Sequence, residues 1–335
     1  ICGALNLVHG GELAWQERKA ESFAMTPLYC GSSATGYVRS DEYSGGISIG
    51  DAVSISGAAV SPNMGYHSTG PMTALLAIFN MRLGAWKGNP RSSHWTSPGP
   101  KNLLKYFSHE LFGLTNAGED YVYLSDGGHF ENLGLYELLS RRCRFIVVCD
   151  SGADPNFNFQ DLGGVIRKAR IDFGIPIQID VEQLKPEGEK RNSEIHFAVG
   201  RIQYGQVDDR CDLDSGELGI RKKLLRADLD ELPKEIDSDD GILIYIKPTV
   251  TGDEPQDVLN YRTGSPSFPH EPTTDQWFSE SQFESYRALG WHIGRQVFDS
   301  AVTRLPNGTL PQDEMRKIFH DLYQRHCSDG AETNS

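Results

Sequence analysis

Residues 121–154 read YVYLSDGGHFENLGLYELLSRRCRFIVVCDSGAD, and the fold is decided here. Tyr121 to Leu124 is a short β-prone run, broken by Ser125-Asp126-Gly127-Gly128. From Leu133 to Arg142 apolar residues recur at helical spacing, as Leu135, Leu138 and Leu139. Phe145 to Cys149 is a continuous apolar run, short enough for a buried parallel strand. Downstream, Phe159 to Phe173 reads as a helix with Leu162, Val165, Ile166 and Ala169 inward, and Ile175 to Ile179 as the next strand. This strand–helix–strand alternation predicts βαβ units, hence an α/β fold with a parallel sheet. In such sheets functional groups sit at the carboxyl ends of strands, where Asp126 falls. Gly127 and Gly128 allow a tight turn with nothing bulky over the carboxylate. A plain Asp-Gly turn that only joins strand to helix accounts for the same residues, and both readings stay open at this point.

The segment SDGGHFENLGLYELL resembles the Asp-Gly-Gly/Ala motif of the patatin-like phospholipases. The following RRCRFIVVCDSGADPNFNFQDLGGVIRKARIDFGIPIQID continues the likeness, which extends to the related cytosolic phospholipase A2 enzymes. Upstream, DAVSISGAAVSPNMGYHS is similar to the small-residue segment that lies between nucleophile and aspartate in that family. The resemblance covers residues 46–180 and implies an α/β fold with a mainly parallel central sheet and helices on both faces. It implies a lipid acyl hydrolase with a Ser–Asp dyad in which Asp126 is the acid, Gly127 and Gly128 complete the motif, and no cofactor or metal takes part. The substrate would be a lipid or acyl ester, met at a membrane surface or in solution.

The dyad needs a serine on a strand-to-helix turn of the form Gly-x-Ser-x-Gly. One literal match exists, Gly46-Ile47-Ser48-Ile49-Gly50. No apolar strand precedes Ser48, only 78 residues separate it from Asp126, and the small-residue segment begins at once. Ser48 is therefore the weaker candidate nucleophile. A Gly-rich oxyanion segment is also not found early in the chain. The chain opens on ICGALNLVHG, which reads as the interior of a strand. The expectation is a fragment whose nucleophile and oxyanion segment lie upstream of Ile1. The alternative is a catalytically inactive relative that serves as a lipid-binding or interaction module. Among neighbouring residues, His129 is a possible base but unnecessary to a dyad, and Asp150, before its own Ser-Gly turn, is the rival acid. Glu131 and Asn132 are expected to cap the next helix, and His67 to be structural.

Length and charge bound the rest. The 335 residues carry a net charge of −14, which argues against nucleic acid as a partner. The six cysteines, at 2, 30, 143, 149, 211 and 327, and the ten histidines show no metal-ligand spacing, and cysteine usage suits a reducing compartment. No 18-residue apolar run appears, so the reading is cytoplasmic or membrane-associated. Strands are expected at 1–8, 23–30, 196–204 and 242–246. Helices are expected at 49–60, 71–83, 103–112, 281–297 and 312–323. An aromatic loop at 86–100 could cover substrate or touch lipid, and an acidic excursion spans about 205–240. The expected division is a hydrolase domain over 1–250 and a helical extension with a polar tail over 251–335.

Overall fold

A computed structural model describes residues 1–9, 18–59, 83–188, 191–207, 240–272, 277–302 and 312–327. The expected helix at 71–83, all but its last residue, His67 and nearly all of the acidic excursion lie outside the described residues. The chain separates into two compact units, Ile1–Glu137 and Leu138–Ser335.

The first unit is built on a six-stranded sheet. Its strands are β1 (Cys2–Asn6), β2 (Ala20–Met25), β3 (Tyr29–Ser32), β4 (Gly36–Arg39), β5 (Ala85–Gly88) and β6 (Tyr121–Asp126), in the order β4-β3-β2-β1-β6-β5. Every pairing in it is antiparallel. The expected strand over 23–30 is in fact a hairpin: Pro27 cannot serve a ladder, and the Thr26 hydroxyl accepts the Tyr29 N–H at 3.0 Å to close the turn between β2 and β3. β4 forms inside a stretch whose glycines and serines read as loop. Helix α1 (Ile49–Ser56) turns Ala52 and Ile55 onto β1 and β6, where they join Leu5, Leu7, Phe23, Val122 and Leu124 in one core. Helix α2 (Leu103–Leu111) follows β5.

Helix α3 (Leu135–Ser140) crosses the division between the units. The second unit holds β7 (Phe145–Cys149), β8 (Ile177–Ile179), β9 (Phe197–Ile202) and β10 (Gly241–Ile246), in the order β7-β10-β9-β8. Helix α4 (Gln160–Phe173) links β7 to β8 and buries Leu162, Val165 and Ala169 as its spacing requires. Helices α5 (Gln256–Gly264), α6 (Glu280–Val302) and α7 (Gln312–Cys327) supply Val258, Leu289, Ile293, Val297, Phe319 and Leu322 to one face of the sheet. There they meet Phe197, Val199, Ile242 and Ile244. Leu243 and Tyr245 point to the other face by strand alternation, and Phe159, at the start of α4, meets the Tyr245 ring.

The mainly parallel central sheet with helices on both faces is not what forms. Among the described strands only β7 and β10 pair in parallel, with Ile242 opposite Phe145 and Ile246 opposite Cys149. β6 and β7 are not neighbours but belong to different sheets, so the 121–149 segment is not a βαβ unit. The physical reason is that an apolar run signals burial on both faces, not strand direction. β6 is buried because β1 and β5 flank it, and both run against it.

Candidate active site

Asp126 ends β6 opposite Gly3 of β1, and its half-buried side chain caps the one-turn helix Gly127–His129. Its Oδ1 accepts the Gly128 N–H at 2.8 Å. Among the described residues Oδ2 accepts no hydrogen bond, so one oxygen is pinned and the other is left for a donor. The space at the two glycines is tight in different ways. A Cβ on Gly127 would lie 2.7 Å from the Cys2 carbonyl oxygen, and one on Gly128 would lie 2.3 Å from Asn132 Oδ1 and 3.2 Å from Asp126 Oδ1. The motif thus brings the backbone close under the carboxylate and keeps it there.

Behind Asp126, on the opposite face of β6, a buried polar chain fixes the turn. Asn6 Nδ2 donates to Ser125 Oγ at 2.8 Å, and Ser125 Oγ lies 2.8 Å from His129 Nδ1. His129 Nε2 is 3.2 Å from the Ala59 carbonyl, which can only accept. The proton therefore sits on Nε2, and Nδ1 accepts from Ser125. Ser125 is fully buried in this arrangement and His129 nearly so, which makes them supports of the turn. Glu131 caps the approach to α3, Oε1 accepting the Leu133 N–H at 2.5 Å.

Ser48 lies elsewhere in its chemistry. It is exposed and is the N-cap of α1: its Oγ accepts the Asp51 N–H at 3.0 Å and donates to Asp51 Oδ2 at 2.7 Å, a closed capping box. No strand leads into it; a short turn of helix, Tyr43–Gly45, does. The Gly-x-Ser-x-Gly pattern here is a helix start and not a strained elbow.

Asp150 is the centre of a different constellation, in the second unit. The Tyr245 hydroxyl and Lys247 Nζ, the latter at 3.0 Å, both donate to its Oδ2, and the Gly152 N–H donates to Oδ1 at 3.0 Å. The Asp150 and Lys247 side chains are each 2% exposed. Burial first, then the carboxylate, pushes the Tyr245 pKa up, so the phenol stays protonated and donates. Nearby His270 Nδ1 accepts the Asp154 N–H at 3.2 Å, and its buried Nε2 has no partner among the described residues. Burial, then Lys247, lowers the His270 pKa. With every polar atom of Asp150 and Lys247 engaged, this is a structural ion pair. Sequence reasoning passed over Lys247, although a lysine ending the apolar run ILIYIK is a visible signal of a buried partner.

Trp86 is turned inward: it lies on β5, its Nε1–H donates to the buried Glu110 at 2.6 Å, and its ring packs on Tyr106 and Tyr123. Trp86, Tyr106, Phe107, Glu110 and Pro100 line a cavity of about 280 Å³ on β5, the strand beside β6.

Against known proteins, the chain matches no family model, no curated protein and no solved structure.

Proposed function

We propose that the chain carries the acidic half of a serine hydrolase that cleaves acyl esters, lipids among them, with Asp126 as its catalytic carboxylate. The observation that carries this reading is the state of Asp126: one oxygen held by Gly128 N–H at 2.8 Å, the other without a partner among the described residues, at the open end of a buried strand. Such a carboxylate is pre-oriented to take one proton. In the reaction it accepts the proton of a serine hydroxyl as the oxygen attacks the ester carbonyl. The alcohol leaves with a proton, and water then hydrolyses the acyl-enzyme. The resemblance of SDGGHFENLGLYELL to the patatin-like motif supports the same role. The serine partner is not Ser48, whose hydroxyl is committed to capping. The reading puts the protein in the cytoplasm or on a membrane surface; no described helix is long and apolar enough to cross a membrane.

The alternative, a non-catalytic lipid-binding or interaction module, is favoured by one observation: Ser48, Ser125 and His129 are all engaged in structure. The test separates the two. Hydrolysis of a short p-nitrophenyl ester and labelling by a fluorophosphonate are measured on the full-length parent of this chain as the wild type, and on its Asp126→Asn and Ser48→Ala variants. The hydrolase reading expects turnover in the wild type, a loss of about 100-fold or more in Asp126→Asn, and no loss in Ser48→Ala. Equal turnover in Asp126→Asn, with circular dichroism unchanged, overturns it. No turnover or labelling in the folded wild type favours the module.

A further inference from the structure

We propose that the second unit binds one zinc ion between His196, Asp253, Glu254 and His292. One ligand atom from each of these residues falls within 4.8 Å of all the others. They come from three segments: His196 immediately before β9, Asp253 and Glu254 immediately before α5, and His292 on α6. His292 Nε2 is 3.1 Å from Asp253 Oδ1, and His196 Nε2 is 3.8 Å from Glu254 Oε1. Ligand atoms about 2.0–2.2 Å from a tetrahedral zinc lie about 3.3–3.6 Å from one another, so these separations bracket the required spacing.

The hydrogen bonds around the cluster leave His196 Nε2 and the Glu254 carboxylate facing each other without a proton between them. Thr249 Oγ1 donates its only hydrogen to the Ile195 carbonyl at 3.0 Å, so it accepts from His196 Nδ1 at 2.7 Å. The His196 proton is therefore on Nδ1, and Nε2 presents a lone pair. His196 is fully buried. That lone pair faces the carboxylate of Glu254, which is also fully buried. The nearby Thr251 hydroxyl, 3.4 Å from Nε2, lies closer to Asp253 Oδ1 and has one hydrogen to give. A second conflict stands opposite. His292 Nε2 is 3.1 Å from an Asp253 oxygen and 2.9 Å from Gln296 Nε2, and one ring nitrogen cannot donate to the first while accepting from the second. A dication at the centre resolves the first conflict, because His196 Nε2 then gives its lone pair to the metal and the Glu254 oxygen faces a positive charge; His292 Nε2 binds the metal once the Gln296 amide, which also holds Asp253, turns away from it.

The outer contacts are those that orient ligands in metal sites. Thr249 fixes His196, Gln296 Nε2 holds Asp253 Oδ2 at 2.8 Å, and the Thr251 and Gly252 N–H groups hold Glu254 at 2.6 and 2.9 Å. Two imidazoles and two carboxylates in a compact set suit zinc better than calcium or magnesium, which take oxygen ligands in greater number. Four protein ligands leave no open position, so the ion is structural and ties the strand β9, the loop after β10 and helix α6 together. The ligands lie far apart in the chain, which is why no spacing motif announces them. The inference is independent of the ester-hydrolase reading, since none of its residues belongs to the Asp126 site.

The test uses the chelator-treated chain, titrated with zinc chloride by calorimetry and with cobalt chloride by visible absorption. Magnesium and calcium chlorides are the controls. Expected are one zinc per chain, a higher melting temperature with zinc but not with magnesium or calcium, and the strong visible bands of tetrahedral cobalt. His292→Ala, only half-buried in the wild type, and Asp253→Ala should fold and lose saturable binding. Thr249→Val should keep the site but weaken it about 10–100-fold. Absence of zinc binding to the folded wild type overturns the proposal. So does binding that His292→Ala and Asp253→Ala leave unchanged, or a cobalt spectrum of weak octahedral bands.

Discussion

Gly127 and Gly128 look alike in the sequence and differ in the structure. Alanine at 127 pushes its Cβ against the Cys2 backbone oxygen at 2.7 Å, where β1 and β6 are paired and neither strand can yield. Alanine at 128 meets the end of the Asn132 side chain, which can rotate away. Gly127→Ala should therefore cost about 1–3 kcal/mol, and Gly128→Ala clearly less, in urea denaturation. Equal costs would show that the close approach to Cys2 is not what selects glycine. At this scale the turn after Asp126 was legible in the sequence, because a carboxylate before two glycines is a local signal. It was silent on Ser125, whose buried hydroxyl finds Asn6 and His129 only after β1 has paired with β6. It was misleading at Ser48, where Gly-x-Ser-x-Gly is written by a loop and a capping box.

Elements were legible where one period ruled. Helix α4 follows its apolar spacing almost to the residue, and β6, β7, β9 and β10 form where apolar runs predict strands. What the runs do not encode is which strand lies alongside and in which direction. The parallel reading fails at β6, whose partner β1 lies far upstream in the chain, and holds only where β7 meets β10. That pair has an energetic signature of its own. β7 and β10 run together and end together, so Asp150 and Lys247 emerge side by side in the dry interior. Lys247→Met strands the Asp150 carboxylate and should cost about 3–5 kcal/mol, whereas Asp150→Asn with Lys247→Met should cost much less than the two single changes summed. Chemical denaturation of the three variants measures this; additive costs would mean that the two charges do not depend on each other.

At the level of the whole molecule, the net charge of −14 and the absence of a long apolar helix among the described residues are readable from composition. The division into units at Glu137 is not, because it falls inside helix α3, where no proline, glycine or change of composition marks it. Stability as a function of pH is likewise a property of the folded chain. His270 has its pKa lowered from an ordinary value of 6.5 by burial, then by Lys247. Below 6.5 the unfolded chain takes up a proton that the folded chain refuses, so this contribution is complete above 6.5 and is lost as pH falls. His270→Asn, whose amide oxygen can still accept the Asp154 N–H, should flatten the decline in stability between about pH 7 and 5 relative to the wild type. Parallel pH profiles would show that His270 does not carry that proton uptake. The ion pair at the ends of β7 and β10 has one more effect, on assembly. A slip of β10 by one residue against β7 would turn Leu243 and Tyr245 to the wrong face and leave Lys247 and Asp150 each charged and alone. The pair thus selects the strand alignment: a misaligned β10 is penalised at a single point.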